Sequence, residues 1–128
     1  MSVPILKIED FLLVSIQTEL HDRSAEQLQK NIVEELSRTN AKGVLIDVTA
    51  LDIVDSFLGR LISDTAQMTR VMGAKTVLAG LQPAVAITLV ELGIELKGVY
   101  TTLNMDKGLE WLRQTTGGLI PGSCSLQG

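Results

Sequence analysis

A chain of 128 residues is the length of one domain, and its 45% hydrophobic residues supply a core that is aliphatic, because Phe, Trp and Tyr make up only 3%. The net charge of −4 and the lack of any basic run argue against a nucleic-acid binder, whose phosphate contacts need clustered Lys and Arg. A single cysteine, Cys124, cannot form an internal disulfide, and no stretch approaches the roughly 20 apolar residues of a bilayer span, so the expected setting is cytoplasmic with no membrane contact.

The N-terminus, Met1 to Lys7, lacks a basic segment followed by a long apolar one and does not read as a signal peptide. Ile5-Leu6-Lys7-Ile8 reads as a short strand and Phe11 to Ile16 as a second, more apolar one. The two-residue link Glu9-Asp10 predicts an antiparallel hairpin, although Glu-Asp is not a preferred turn pair. Asp22 and Ser24 are both candidate N-caps for the next element, and Ser24 with Gln27 fits a capping box. Ala25, Leu28, Ile32 and Leu36 then recur at helical spacing, predicting an amphipathic helix to about Thr39.

Val44-Leu45-Ile46-Asp47-Val48 is the continuous apolar run of a strand buried on both faces, as in a parallel sheet. A second helix is predicted from about Ser56 to Met72, with Leu58, Leu61, Ile62, Thr65, Met68 and Met72 as its inner stripe and Gly73 closing it. Thr76 to Ala79 is another buried strand, and Pro83 opens a third helix at its first position. Ala84 to Leu92 is apolar nearly all round, and Gly93 stops it. Gly98 to Thr101 is a weak last strand, and Asn104 or Asp106 starts a fourth helix carrying Leu109 and Leu112. Residues 1–116 are thus read as one domain, and 117–128, rich in Gly and Ser, as a flexible C-terminal tail. The order ββαβαβαβα predicts an α/β fold with a mixed, mostly parallel sheet and an antiparallel edge.

Catalytic equipment is sparse. His21 and Cys124 are single and the acidic residues are scattered, so no metal-ligand spacing arises. No phosphate-cradling glycine motif follows a strand; Gly80-Leu81-Gln82-Pro83 reads as an ordinary strand-to-helix turn. Ser56 lacks the flanking glycines of a nucleophile elbow, and Asp47, Asp52 and Asp55 are explained by capping and the helix dipole. The chain is expected to be no enzyme and to need no cofactor or metal.

One segment, Asp47 to Gly59, joins a buried strand to a helix start and places Asp55-Ser56-Phe57-Leu58 at the junction. Ser56 there is either a cap or a phosphorylation site. A phosphate at a helix N-terminus is favoured by the dipole and the free N–H groups, and it adds roughly −1.5 to −2 charge to a small surface. Thr49 and Thr65 stand as open candidates for a second such site. Phe57, Val85, Val90 and Val99 are apolar residues whose facing the pattern leaves open, and some of them are candidates for self-association surfaces.

Asp55-Ser56-Phe57 after an apolar strand, with Gly59 inside the helix and Gly80-Leu81-Gln82-Pro83-Ala84-Val85-Ala86 before the third, resembles the STAS domains of bacterial anti-sigma factor antagonists. The stretches Ile5 to Lys7, Leu12 to Gln17, Met72 to Lys75 and Glu91 to Ile94 extend the resemblance over most of residues 4–113, and Phe57 favours the stressosome scaffold branch of that family. The resemblance implies a non-catalytic scaffold that sequesters a serine kinase and releases it when phosphorylated at Ser56, with Asp55, Ser56, Phe57 and Leu58 meeting the partner. It also implies STAS-bearing sensor paralogues, a serine phosphatase and self-association in a large cytoplasmic complex as partners. The alternative within the family is an antagonist that binds an anti-sigma kinase directly.

Overall fold

A computed structural model describes residues 4–16, 22–51 and 56–116. Its elements run β1 (Ile5–Ile8), β2 (Phe11–Ser15), α1 (Asp22–Thr39), β3 (Gly43–Asp47), α2 (Ser56–Val71), β4 (Lys75–Ala79), α3 (Pro83–Glu91), β5 (Val99–Thr102) and α4 (Met105–Thr115). The five strands form one sheet in the order β1-β2-β3-β4-β5. β1 pairs antiparallel with β2, and every later pair is parallel, so the mixed α/β architecture expected from the apolar runs is present.

Strand order equal to chain order has a mechanical consequence. Each crossover from β2 to β5 steps in the same direction, and right-handed crossovers of constant direction put their helices on one face. α1, α2 and α3 accordingly share a core with Leu12, Val14, Val44, Ile46 and Leu78. The alternate residues Phe11, Leu45, Val77 and Ala79 point to the opposite face, where α4 covers them with Leu112, Leu109 and Trp111. α4 lies very close to the sheet. A Cβ on Gly108 would stand 2.5 Å from Leu45 Cδ1, and one on Gly43 would stand 2.6 Å from Leu112 Cδ2. Tyr100 of β5 stacks on Trp111, centroids 4.2 Å apart, and Lys75 Nζ sits 5.8 Å above the same indole.

The ends of these elements follow local chemistry. Asn104, not Asp106, caps α4, its side chain accepting from Lys107 N at 2.9 Å. Gly73 and Gly93 take positive φ just past α2 and α3, and Asn40 does so after α1. The hairpin turn takes φ 56° at Glu9, which costs an L-residue roughly 1–2 kcal/mol. Two contacts hold it there: Lys7 Nζ donates to the Glu9 carbonyl at 2.7 Å, and Arg113 Nε donates to Glu9 Oε1 at 2.9 Å.

Two expectations are corrected. α1 is already under way at Asp22, so Ser24 is an interior residue, and the Gln27 amide donates to Asn31 Oδ1 at 2.9 Å instead of closing a capping box. The inner stripe of α2 ends in Ala66 and Thr69, whereas Met68 and Met72 are 41% and 42% exposed. Its late turns settle on the buried Thr69–Thr76 hydroxyl pair at 2.5 Å, which ties α2 to β4 and turns the methionines outward. α3 is apolar all round but buries only Val85 and Leu89, leaving Ile87 and Val90 exposed. The expected flexible tail, residues 117–128, lies outside the described residues.

Leu112→Ala should lower stability by about 2–5 kcal/mol in urea titration, because Leu112 is fully buried and fills the space over Gly43. The Arg113 hydrogen bond holds the Glu9 carboxyl below its ordinary value of 4.5. A lowered folded-state value contributes stability above the unfolded value, and that contribution is lost as pH falls below 4.5 through the folded value. Arg113→Ala should therefore shallow the acid side of the stability–pH curve, read from chemical denaturation between neutral pH and the acid limb.

Candidate functional site

The strand-to-helix loops all gather at the C-terminal edge of the parallel strands, the edge at which open α/β sheets place ligands and partners. Backbone hydrogen bonds extend the sheet past its strands there. Ile16 N donates to Asp47 O, Val48 N to Ala79 O and Gly80 N to Thr102 O, each at 3.0 Å. The start of the β3–α2 loop is fixed from both sides. Asp47 Oδ1 accepts from Thr49 N at 3.0 Å and from Thr49 Oγ1 at 2.6 Å, and Leu51 is buried behind it. Asp47 is thus a turn-forming acceptor.

A second loop clasps the first. Gln82, the residue before α3, donates its side-chain amide to Thr49 O at 2.9 Å. Gly80 takes φ 77° and lies so close to Thr49 that a Cβ would overlap the threonine hydroxyl. Gly59 in the first turn of α2 packs against α3 and the loop after it: a Cβ there would meet Ile94 Cδ1 at 2.6 Å and Leu89 Cδ2 at 2.8 Å. Thr49, Gly80, Gln82 and Gly59 join two loops and two helix starts into one unit, and sequence reasoning did not see this. Gly80-Leu81-Gln82-Pro83 was legible as a strand-to-helix turn and as part of a family resemblance but not as a clasp, since its contacts reach 33 residues along the chain.

Ser56 is the first residue of α2 and is exposed, and no acidic side chain stands in that first turn. Its hydroxyl is therefore near the positive end of the helix dipole and open to solvent. Phe57 is 37% exposed, half in and half out of the surface. Leu58, expected at the partner surface, is 2% exposed: the helix turns it inward, into the core cluster that holds Leu61 and Ile62. Asp55 and Asp52 lie outside the described residues, as do His21 and Cys124. Among the described residues no group of three His, Cys, Asp or Glu side chains could hold a metal ion. Thr65 is buried and donates to Leu61 O at 2.7 Å, closing it to an enzyme, and the exposed Thr49 spends its hydroxyl on Asp47.

Gly80→Ala should lower stability by about 2–5 kcal/mol in urea titration. It adds a left-handed penalty of roughly 1–2 kcal/mol to overpacking of about 1–3 kcal/mol against Thr49.

Comparison with known proteins places this geometry. The family model for the STAS domain matches residues 2–105. The RsbT co-antagonist protein RsbRA of Bacillus subtilis (strain 168) is 28% identical over 117 residues, which are 91% of this chain and 43% of that protein, so the chain spans less than half of that relative's length. A serine-to-glutamate variant of Moorella thermoacetica RsbS superposes with a TM-score of 0.77 at 40% identity, over 86% of this chain and 93% of that one. A chain from the molecular architecture of the stressosome, a signal integration and transduction hub, superposes with a TM-score of 0.79 at 39% identity, over 89% of this chain and 99% of that one. The family model spans most of the chain and the superposed folds agree with it: the chain belongs to the STAS domain family, close to the RsbR paralogues and to the RsbS structures of the stressosome.

Proposed function

We propose that this chain is a non-catalytic scaffold of a stressosome-type complex that holds a serine kinase and releases it when Ser56 is phosphorylated. The observation that carries the reading is the exposed Ser56 at the start of α2, beside a half-exposed Phe57 and on a loop edge braced by the Thr49–Gln82 clasp. Similarity of 39–40% to stressosome chains supports the setting. The partners in this reading are a switch-type serine kinase, STAS-bearing sensor paralogues, a phosphatase that resets Ser56, and further copies of the chain. No helix among the described residues is long and apolar enough to cross a membrane.

The switch needs no chemistry by this protein. Before modification, Phe57 offers a compact apolar anchor and Ser56 a neutral neighbour. Afterwards the phosphate brings roughly −1.5 to −2 charge to the same spot, where α2's free N–H groups stabilise it. The helix keeps its form, and the docked partner bears the cost, because it must desolvate a dianion or meet it with its own charge. The start of α2 stays in place during this change because Gly59 is seated against Leu89 and Ile94.

Incubation of the full chain with its cognate kinase and ATP should add one phosphate, located at Ser56 by mass spectrometry and absent from Ser56→Ala. Kinase retention in size-exclusion chromatography should fall in the order Ser56→Ala, Ser56→Asp, phosphorylated chain, since aspartate carries only part of the phosphate charge. Equal retention by Ser56→Asp and Ser56→Ala overturns the switch. Phe57→Ala should keep the fold, being a surface position, and weaken kinase binding by about tenfold or more, the usual loss on truncating a central aromatic anchor.

A further inference from the structure

β1 is an outermost strand of the sheet: it pairs with β2 on one side, and among the described residues no strand stands on the other. The ladder decides which of its backbone groups are left open. The N–H and C=O of one strand residue point to the same side, and the side alternates along the strand. Ile16 N donates to Asp47 O, so Leu12 and Val14 also turn their groups to β3, and Phe11 and Leu13 turn theirs to β1. The register opposes Phe11 to Ile8 and Leu13 to Leu6, so Ile8 and Leu6 are bonded to β2. Ile5 and Lys7 therefore point their N–H and C=O groups outward, away from the sheet.

Side chains alternate on the same strand. Ile5 packs on the core beneath α1, α2 and α3, and Leu13, opposite Leu6, packs on the α4 side. Pro4, Leu6 and Ile8 thus form a row on the α4 side, with Pro4 exposed, Ile8 half-buried and Leu6 57% exposed. An open strand edge templates pairing with another chain unless charge or irregularity blocks it. This row carries no charge. The one charge on the strand, Lys7, is on the other face, where its Nζ is drawn back to the Glu9 carbonyl at 2.7 Å. The opposite edge of the sheet has no matching row: β5 is Val99-Tyr100-Thr101-Thr102, and Tyr100 is held on Trp111.

We propose that β1 pairs antiparallel with β1 of a second copy, across a two-fold axis through Leu6, joining two five-stranded sheets edge to edge. The axis must pass through a residue, because residues opposite each other share a face. Of the two central residues, Lys7 on the axis would set two ammonium groups in direct opposition, which destabilises a strand pair. Leu6 on the axis does the reverse. Ile5 then faces Lys7 of the second copy and exchanges both hydrogen bonds with it, and the symmetric pair repeats this, so every outward group of Ile5 and Lys7 is satisfied. The α4 side becomes a continuous apolar ladder in which Leu6 meets Leu6 and Pro4 meets Ile8 at each end. The edge fits itself in hydrogen bonds, side chains and charge at one register, which selects a second copy as the occupant. A four-residue edge makes a small contact, so the pairing is concentration-dependent. The pairing deepens the scaffold reading, on which its place in a larger assembly rests; the contact itself involves neither Ser56 nor a kinase.

The full chain, alone and without kinase, should shift from monomer to dimer in sedimentation velocity as its concentration is raised. Across the same range the Ile5 and Lys7 amides should exchange more slowly, by about tenfold where about nine-tenths of the chains are paired, whereas the Leu6 and Ile8 amides, already bonded to β2, should not change. Leu6→Asp should hold the chain monomeric, with unchanged fluorescence of Trp111, its only tryptophan, showing that the fold is kept. Register is read by crosslinking in a Cys124→Ser background, which removes the only native cysteine. Opposed residues of a non-hydrogen-bonded pair have Cα atoms about 4.5 Å apart, within the span of a disulfide. Leu6→Cys should therefore oxidise to a disulfide-linked dimer, and Lys7→Cys should not. A chain that stays monomeric at every concentration overturns the proposal. So does a dimer that leaves the Ile5 and Lys7 amides unprotected, which would place the contact on another surface, or crosslinking through Lys7→Cys as readily as through Leu6→Cys. Loss of kinase retention with the dimer intact would strike the Ser56 switch alone.

Discussion

Constant-direction crossovers between neighbouring parallel strands are the constraint on which the rest of this molecule depends. They send α1, α2 and α3 to one face, so the covering of the opposite face falls to the chain after β5. They also bring every strand-to-helix loop to one edge, which is where α2 begins. The position of Ser56 and the burden placed on α4 are two results of one topology.

α4 meets that burden by close approach. Gly43 and Gly108 carry no side chain where the helix crosses the sheet, so Leu112 and Leu45 interlock across a gap too small for added methyl groups. Dispersion and water exclusion act at full strength in such a contact. The ion pair from Arg113 to Glu9 adds direction more than energy, since it lies in solvent, where such pairs contribute little. Its effect is local: it holds a non-glycine residue at positive φ in the antiparallel turn of the sheet.

At the other edge, rigidity and exposure are combined. Asp47, Thr49 and Gln82 are joined by hydrogen bonds, and Gly80 lets the two loops approach closely. Ser56 and Phe57 are held on that base by a helix whose next residues, Leu58 and Gly59, are packed inward. On the proposed reading, phosphorylation of Ser56 alters surface charge without unseating the helix.

The sequence by itself determined the periodic and punctuated parts of this protein. The four-residue beat of Ala25, Leu28, Ile32 and Leu36, the apolar runs of β3 and β4, the glycine stops after α2 and α3, and Pro83 at a helix start all act within one element, so local spacing reveals them. The Asp55-Ser56-Phe57 motif was legible as a family signature, though whether Ser56 caps or switches was not. Tertiary structure alone decided which way ambiguous residues face. Met68 and Met72 turn outward because Thr69 is drawn to Thr76 on β4; Leu58 turns inward; and Gln82 finds Thr49 across 33 residues. Each of these outcomes is set by a partner from another element, and the pattern of a single segment carries no record of that partner.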